Sequence, residues 1–128
     1  RRWHTAGPTI LQGDLFDLTQ EEVGPIQAIW DRAAMVAIHP QRRRDYVRKL
    51  VELLDPGSRI LLIGWDASRA ADVGPPYCLR TEEVRTLYSS IGEVESVGST
   101  LLTPDTDARV AEKGLDWMRL DTYRITLR

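Results

Sequence analysis

"IQAIWDRAAMVAIHPQRRRDYVRKLVELLDPGSRILLIGW", residues 26–65, decides the fold. It opens on a compact apolar run, Ile26 to Trp30, which has the look of a strand buried on both faces. From Pro40 to Leu54 the pattern turns helical: Val47, Leu50, Val51 and Leu54 fall at i, i+3, i+4 and i+7 and make a core-facing stripe. Pro40 suits a first helical turn, and Asp55-Pro56-Gly57 ends the helix and reverses the chain. "SRILLIGW", residues 58–65, follows as a second strand with a continuous apolar stretch. A strand, a helix of about 14 residues and a strand make a βαβ unit, which predicts a parallel pair with a right-handed crossover.

Working outward, residues 9–12 form a short strand candidate that runs into "GDLFDL". In "TQEEVG" Thr19 can cap a helical turn, with Glu21 and Glu22 at the positive end of its dipole, and Gly24-Pro25 stops it. Downstream lies a loop, "DASRAADVGPPYCLR", of a length that is uncommon in a compact domain and often functional. Thr81 is the expected cap of a short helix through Tyr88, with Glu82 and Glu83 in its first turn. Two extended segments close the chain, residues 94–102 and 117–127. In "YRITLR" the side chains alternate, with Tyr123, Ile125 and Leu127 on one face and Arg124, Thr126 and Arg128 on the other, a half-exposed strand antiparallel to its neighbour. Residues 1–128 therefore read as a single α/β domain with a mainly parallel sheet and a hairpin-like ending.

A chain of 128 residues that is 42% hydrophobic and 28% charged has room for one core and reads as soluble and globular. A net charge of −2 gives no long-range pull toward nucleic acid or anionic lipid, and the basic run Arg42-Arg43-Arg44 reads as a solvated helix face. One cysteine, Cys78, excludes an intrachain disulfide and a cysteine-cluster metal site. With no zinc-ligand spacing either, no metal is expected. No apolar run approaches the roughly 20 residues of a membrane span, and "RRWHTAGPT" lacks a signal peptide's apolar core, so a cytoplasmic protein is the expectation.

Ligands of open α/β sheets bind beyond the carboxyl ends of the strands, which singles out residues 13–18, Asp31-Arg32 and residues 66–79. Two readings of Asp31-Arg32 stand side by side. It is either an ion pair tying a loop to a helix or a cleft in which the arginine clamps a carboxylate. The prolines of "VGPPY" fix the approach of Tyr77, as a pocket wall or as a rigid surface turn. His39, beside Pro40 at a helix start, is better suited to capping than to acid–base work. No Ser-His-Asp arrangement, P-loop or G-x-G-x-x-G is present.

Taken together, "GDLFDLT", "IWDRAAMVAIHP", "LLIGWD", "GPPY" and "GLDWMRLDTYRITLR" resemble, in order and spacing, the thiopurine S-methyltransferase family across essentially the whole chain. The resemblance implies a class I methyltransferase (Rossmann-like) fold with helices on both faces of a mostly parallel sheet. It implies S-adenosylmethionine as methyl donor and a small thiol or heterocyclic acceptor, or a selenium or tellurium species. Carried over by position, Gly13, Asp14, Leu15 and Phe16 would lie near the adenine. Asp31 and Arg32 would be catalytic, beside the donor's methionine end and the acceptor. Pro75, Pro76, Tyr77 and Arg109 would join Arg32 in binding the acceptor. In the sheet order 3-2-1-4-5-7-6 this chain would supply strands 3 to 7 and lack the first two, as the C-terminal part of a methyltransferase domain. Strand 4 would then have an open edge, which a longer chain, self-association, a second chain or residues 9–12 would have to cover. The second functional class is a non-catalytic module that binds a small ligand or a protein partner. Binding of nucleic acid or membrane is not expected.

Overall fold

The computed structural model describes residues 1–4, 6–69 and 74–128. The chain begins with a small antiparallel pair, β1 (Arg2–His4) on β2 (Thr9–Leu11). A 3-10 turn over Leu15–Asp17 leads to α1 (Gln20–Val23), held by a complete capping box. The Thr19 hydroxyl accepts from the Glu22 N–H at 3.3 Å and the Glu22 carboxylate accepts from the Thr19 N–H at 2.9 Å. Gly24, at φ +73°, ends the turn.

The βαβ unit follows: β3 (Ala28–Arg32), a short α2 (Ala34–Ala37), a 3-10 turn over Pro40–Arg42, α3 (Arg43–Leu53) and β4 (Arg59–Ala67). His39 caps the 3-10 turn, its Nδ1 accepting from the Gln41 N–H at 3.3 Å. Then come α4 (Thr81–Tyr88), β5 (Gly92–Leu102), α5 (Ala108–Glu112) and β6 (Met118–Leu127). Thr81 is not the cap of α4. That position belongs to Arg80, which makes no side-chain cap bond, while the Thr81 hydroxyl lies 2.8 Å from the Tyr123 hydroxyl. Helix α5, in the connection between the last two strands, has only one apolar residue larger than alanine, Val110, too little pattern to stand out in sequence; Asp107 caps it, accepting from the Arg109 N–H.

The main sheet has the order β3-β4-β6-β5, the 4-5-7-6 arrangement expected from the resemblance. Only β3 and β4 are parallel. Strand β6 runs antiparallel to both β4 and β5, so the sheet is mixed rather than mostly parallel. Gly92 opens β5 where a Cβ would come within 2.7 Å of the Thr126 carbonyl oxygen. Residues 9–11 do not join this sheet, and among the described residues no strand lies beside the outer edge of β3.

Strand alternation sorts the core. Ile29, Asp31, Ile60, Leu62, Tyr123 and Ile125 share one face through the pairs Ile29↔Ile60, Asp31↔Leu62, Leu62↔Tyr123 and Ile60↔Ile125. Helix α3 reaches that face through Tyr46 on Asp31, and α4 through Thr81 on Tyr123. The alternate residues Trp30, Leu61 and Arg124 face the other way. There Trp30 is 66% exposed and Leu61 42%. The expectation that the first strand is buried on both faces is therefore corrected. It is an edge strand, and among the described residues nothing takes Trp30 on its second face out of water.

Candidate functional site

The end of β3 sends its two charged residues in opposite directions. Asp31 points to the helix side and is 2% exposed. One carboxylate oxygen accepts from the Met35 N–H at 3.1 Å, and the other accepts from the Tyr46 hydroxyl at 3.0 Å. Burial raises its pKa above the ordinary carboxylate value, against the lowering effect of those bonds. The same burial, with the Asp31 charge nearby, pushes the Tyr46 and Tyr88 hydroxyls up. Tyr88 adds a buried hydroxyl with no hydrogen-bond partner among the described residues.

The Arg32 side chain is on the opposite face and exposed, and it makes no hydrogen bond or ion pair among the described residues. It is not paired with Asp31. Directly after it Ala33 takes φ +69°, a left-handed conformation that turns the chain into α2. Such strain in a non-glycine residue persists only where its surroundings fix it. Here they do, because Asp31 holds the Met35 N–H two residues on.

The segment after β4 closes over this turn, and residues 70–73 of that loop lie outside the described residues. The Tyr77 N–H donates to the Val36 carbonyl at 2.7 Å, and the Leu79 N–H donates to the Trp65 carbonyl at 2.7 Å. The Tyr77 ring meets His39 edge-on, with centroids 5.4 Å apart. Gly74-Pro75 and Pro75-Pro76 are both cis. A Cβ on Gly74 would stand 2.5 Å from the Tyr77 ring, so only glycine fits there. The structure thus seats Tyr77 on α2 and His39, in the segment that follows Arg32 and Ala33.

Gly13, Asp14 and Leu15 line a cavity of about 410 Å³ between the β1–β2 pair and α1, with Leu11, Leu18 and Arg2 among the other walls. That volume lies within the range of small-molecule sites. Phe16 is not in its lining. It packs under the Arg42 guanidinium, 4.8 Å from the ring centroid, and its N–H donates to the Asp14 carboxylate at 2.9 Å. Lys49 donates to the Leu18 carbonyl at 3.2 Å, tying this loop to α3.

Arg109 stands apart from the other expected residues. On α5 it is 65% exposed and forks onto Asp107, with Nη2 2.6 Å from one carboxylate oxygen. That contact holds the Asp107 carboxyl down to about 2. No hydrogen bond or ring contact joins Arg109 to Arg32 or to residues 75–77 among the described residues.

Two groups escaped the sequence reading. Arg43, expected on a solvated face, is 1% exposed and central to the packing. Its signal was available, since Arg43, Val47, Leu50 and Leu54 continue the apolar stripe one turn toward the N-terminus. The other group is a second cavity of about 410 Å³ lined by Thr81, Ser99, Arg119, Asp121 and Tyr123. Arg119 contacts Asp121 at 2.8 Å and Asp66 at 3.3 Å, and the Ser99 hydroxyl donates to Asp121 at 2.7 Å, so its charges are internally matched. Among the described residues no three His, Cys, Asp or Glu side chains are grouped to hold a metal, and no helix is long and apolar enough to cross a membrane.

Comparison with known proteins matches residues 1–128 to the family described as Thiopurine S-methyltransferase (TPMT). A thiopurine S-methyltransferase of Pseudomonas aeruginosa (strain UCBPP-PA14) is 34% identical over 125 residues, covering 96% of this chain and 56% of that protein. One from Shewanella woodyi is 34% identical over 127 residues, 99% of this chain and 56% of the relative. One from Nitrosospira multiformis is 40% identical over 87 residues, 68% of this chain and 40% of the relative. The chain spans about half the length of these curated relatives. A solved structure from work on conversion of a disulfide bond into a thioacetal group during echinomycin biosynthesis superposes with a TM-score of 0.57 and 14% identity. It covers 90% of this chain and 53% of the other, a likeness of fold.

Proposed function

The chain belongs to the thiopurine S-methyltransferase family, and from that premise we propose that it forms the acceptor side, and part of the adenine site, of an S-adenosylmethionine-dependent thiol methyltransferase. The observation that carries this reading is Arg32. It is an exposed cation without an ion-pair partner among the described residues, at a strand's carboxyl end, where α/β sheets bind ligands. Asp31 has both oxygens engaged and buried, which suits it to holding the turn rather than to touching a ligand.

S-adenosylmethionine, when bound, supplies a methyl group on a sulfonium sulfur that departs as a neutral thioether. Little acid–base help is needed, and the chain's part is to place and charge the acceptor. A thiol beside Arg32 has its pKa lowered, because the guanidinium favours the thiolate. Pro75, Pro76 and Tyr77 give the acceptor an apolar wall that excludes water, and Arg109, once released from Asp107, can close on it. The cavity beside Gly13, Asp14 and Leu15 accepts a flat heterocycle between Leu11 and Leu18, and Phe16 supports that loop from behind. Catalysis then rests on positioning and electrostatics. A selenium or tellurium acceptor would use the same site, and cytoplasmic thiols are its natural pool.

The test is a thiol methylation assay. Arg32→Ala should lose roughly 100-fold in turnover, a loss typical of removing a group that meets developing or nucleophilic charge, and Arg42→Ala should lose little. Equal losses would remove the site from the end of β3. Micromolar binding of S-adenosylhomocysteine to the 128-residue chain, read by calorimetry, would support an autonomous donor site.

A second reading draws on the outer edge of β3. An edge without a partner among the described residues, beside exposed Trp30 and Leu61, favours a sheet that continues, with the first two strands of the class I order supplied by a longer chain or by another copy. In that case donor binding needs those strands, and the 128-residue chain alone would serve as a ligand- or partner-binding module.

A further inference from the structure

Arg43 lies at a junction of three segments. Its guanidinium is enclosed, with Nε donating to the Met35 carbonyl at 3.4 Å and Nη2 to the Tyr77 carbonyl at 3.1 Å. Nη1 donates to the Cys78 carbonyl at 2.9 Å and to both Glu83 oxygens at 2.9 Å. Met35 belongs to the helix that follows Arg32 and Ala33, Tyr77 and Cys78 to the segment over it, and Glu83 to α4. A simple tie between α3 and α4 would need only Glu83. The other three acceptors are backbone carbonyls in the two segments that flank the candidate site. Lysine could not replace this set, because a point ammonium lacks the planar fork that reaches divergent acceptors.

We propose that Arg43 is a positioning residue: it locks residues 75–78 to the turn carrying Arg32, so that the wall and the arginine keep one fixed spacing. The functional consequence rests on the acceptor-site reading above, whereas the mechanical one stands on these contacts alone. Glu83 neutralises the charge that burial would otherwise make costly. The Tyr77 N–H on Val36 and the Leu79 N–H on Trp65 guide the segment on either side of the lock. Without the guanidinium, three inward-facing carbonyls would lose their donor and the segment would swing outward to find water.

Cys78, the chain's one cysteine, sits inside the locked segment and reports on it directly. Its labelling by a disulfide reagent such as DTNB, in native buffer, should accelerate about tenfold in Arg43→Lys, the size of effect expected from losing one charge-assisted hydrogen bond. Glu83→Gln keeps the carbonyl bonds and should change labelling less than Arg43→Lys does. Val47→Ala, which loosens the packing of the same helix, should leave it near the unsubstituted rate once both are compared at matched urea stability. An unchanged rate in Arg43→Lys, or an equal acceleration in Val47→Ala, would overturn the inference. In a methylation assay Arg43→Lys should raise the acceptor KM and largely spare kcat, and the reverse split would also overturn it. Faster labelling in Arg43→Lys with no methylation by the unsubstituted chain would uphold the lock and count against the acceptor-site reading.

Discussion

At position 33 an alanine holds φ +69°, where a Cβ crowds the following carbonyl. Ala33→Gly relieves that crowding at some cost in unfolded-state entropy, so the variant should gain about 0.5 kcal/mol or a little more in urea unfolding. Two residues earlier, Asp31 has a raised pKa, so between the ordinary carboxylate value and that raised one the folded chain binds more protons than the unfolded one. Stability must then fall as pH rises through this window, and Asp31→Asn should flatten that slope in pH-stepped denaturation. The asparagine retains an acceptor for the Met35 N–H, which keeps the turn in place while the titration is removed. The placement of Asp31 and Arg32 was only half legible in the sequence. That an acid and a base follow an apolar strand was plain. That they part to opposite faces follows from strand alternation, but only once the strand is known to extend through Arg32.

Among the elements, those with strong local chemistry read correctly from sequence. The cap at Thr19, the helix stop at Asp55-Pro56-Gly57 and the alternation of "YRITLR" all carry their signal within a few residues, whereas the helix expected from Pro40 opens as a 3-10 turn and becomes α-helical only at Arg43. What failed was set by distant partners. Ile26 to Trp30 has the composition of a doubly buried strand, yet its exposure depends on whether anything covers its second face. Thr81 sits where a cap belongs, but Tyr123, distant in sequence, claims its hydroxyl. Arg43 was hidden by two arginines on either side, Arg42 and Arg44, which do face solvent. Strand β5 offers an element-scale test. Gly92→Ala would drive a Cβ against the Thr126 carbonyl in the neighbouring strand, and the variant should lose about 1–3 kcal/mol, read as a lower thermal or urea midpoint.

For the molecule as a whole, the outer edge of β3 and the exposed Trp30 beside it make the surface most prone to unwanted pairing. Trp30→Lys should slow self-association of the 128-residue chain, measured by light scattering or sedimentation at rising concentration. Unaltered association would place the sticky surface elsewhere, with Ile10 and Leu101 the next exposed apolar residues. The order of the sheet has a further effect, on timing. Strand β6 is the last in sequence but lies between β4 and β5, two strands that never touch in the finished sheet. While the chain emerges from the ribosome, β5 leaves the exit tunnel ahead of the strand it must dock on. Until residues 118–127 arrive, the flank of β4 stays open and β5 has no partner, so these two strands wait together in the nascent state. Sheet closure thus waits on one inserted strand, and slow release of residues 118–127 from the tunnel would extend the interval in which a chaperone has something to hold.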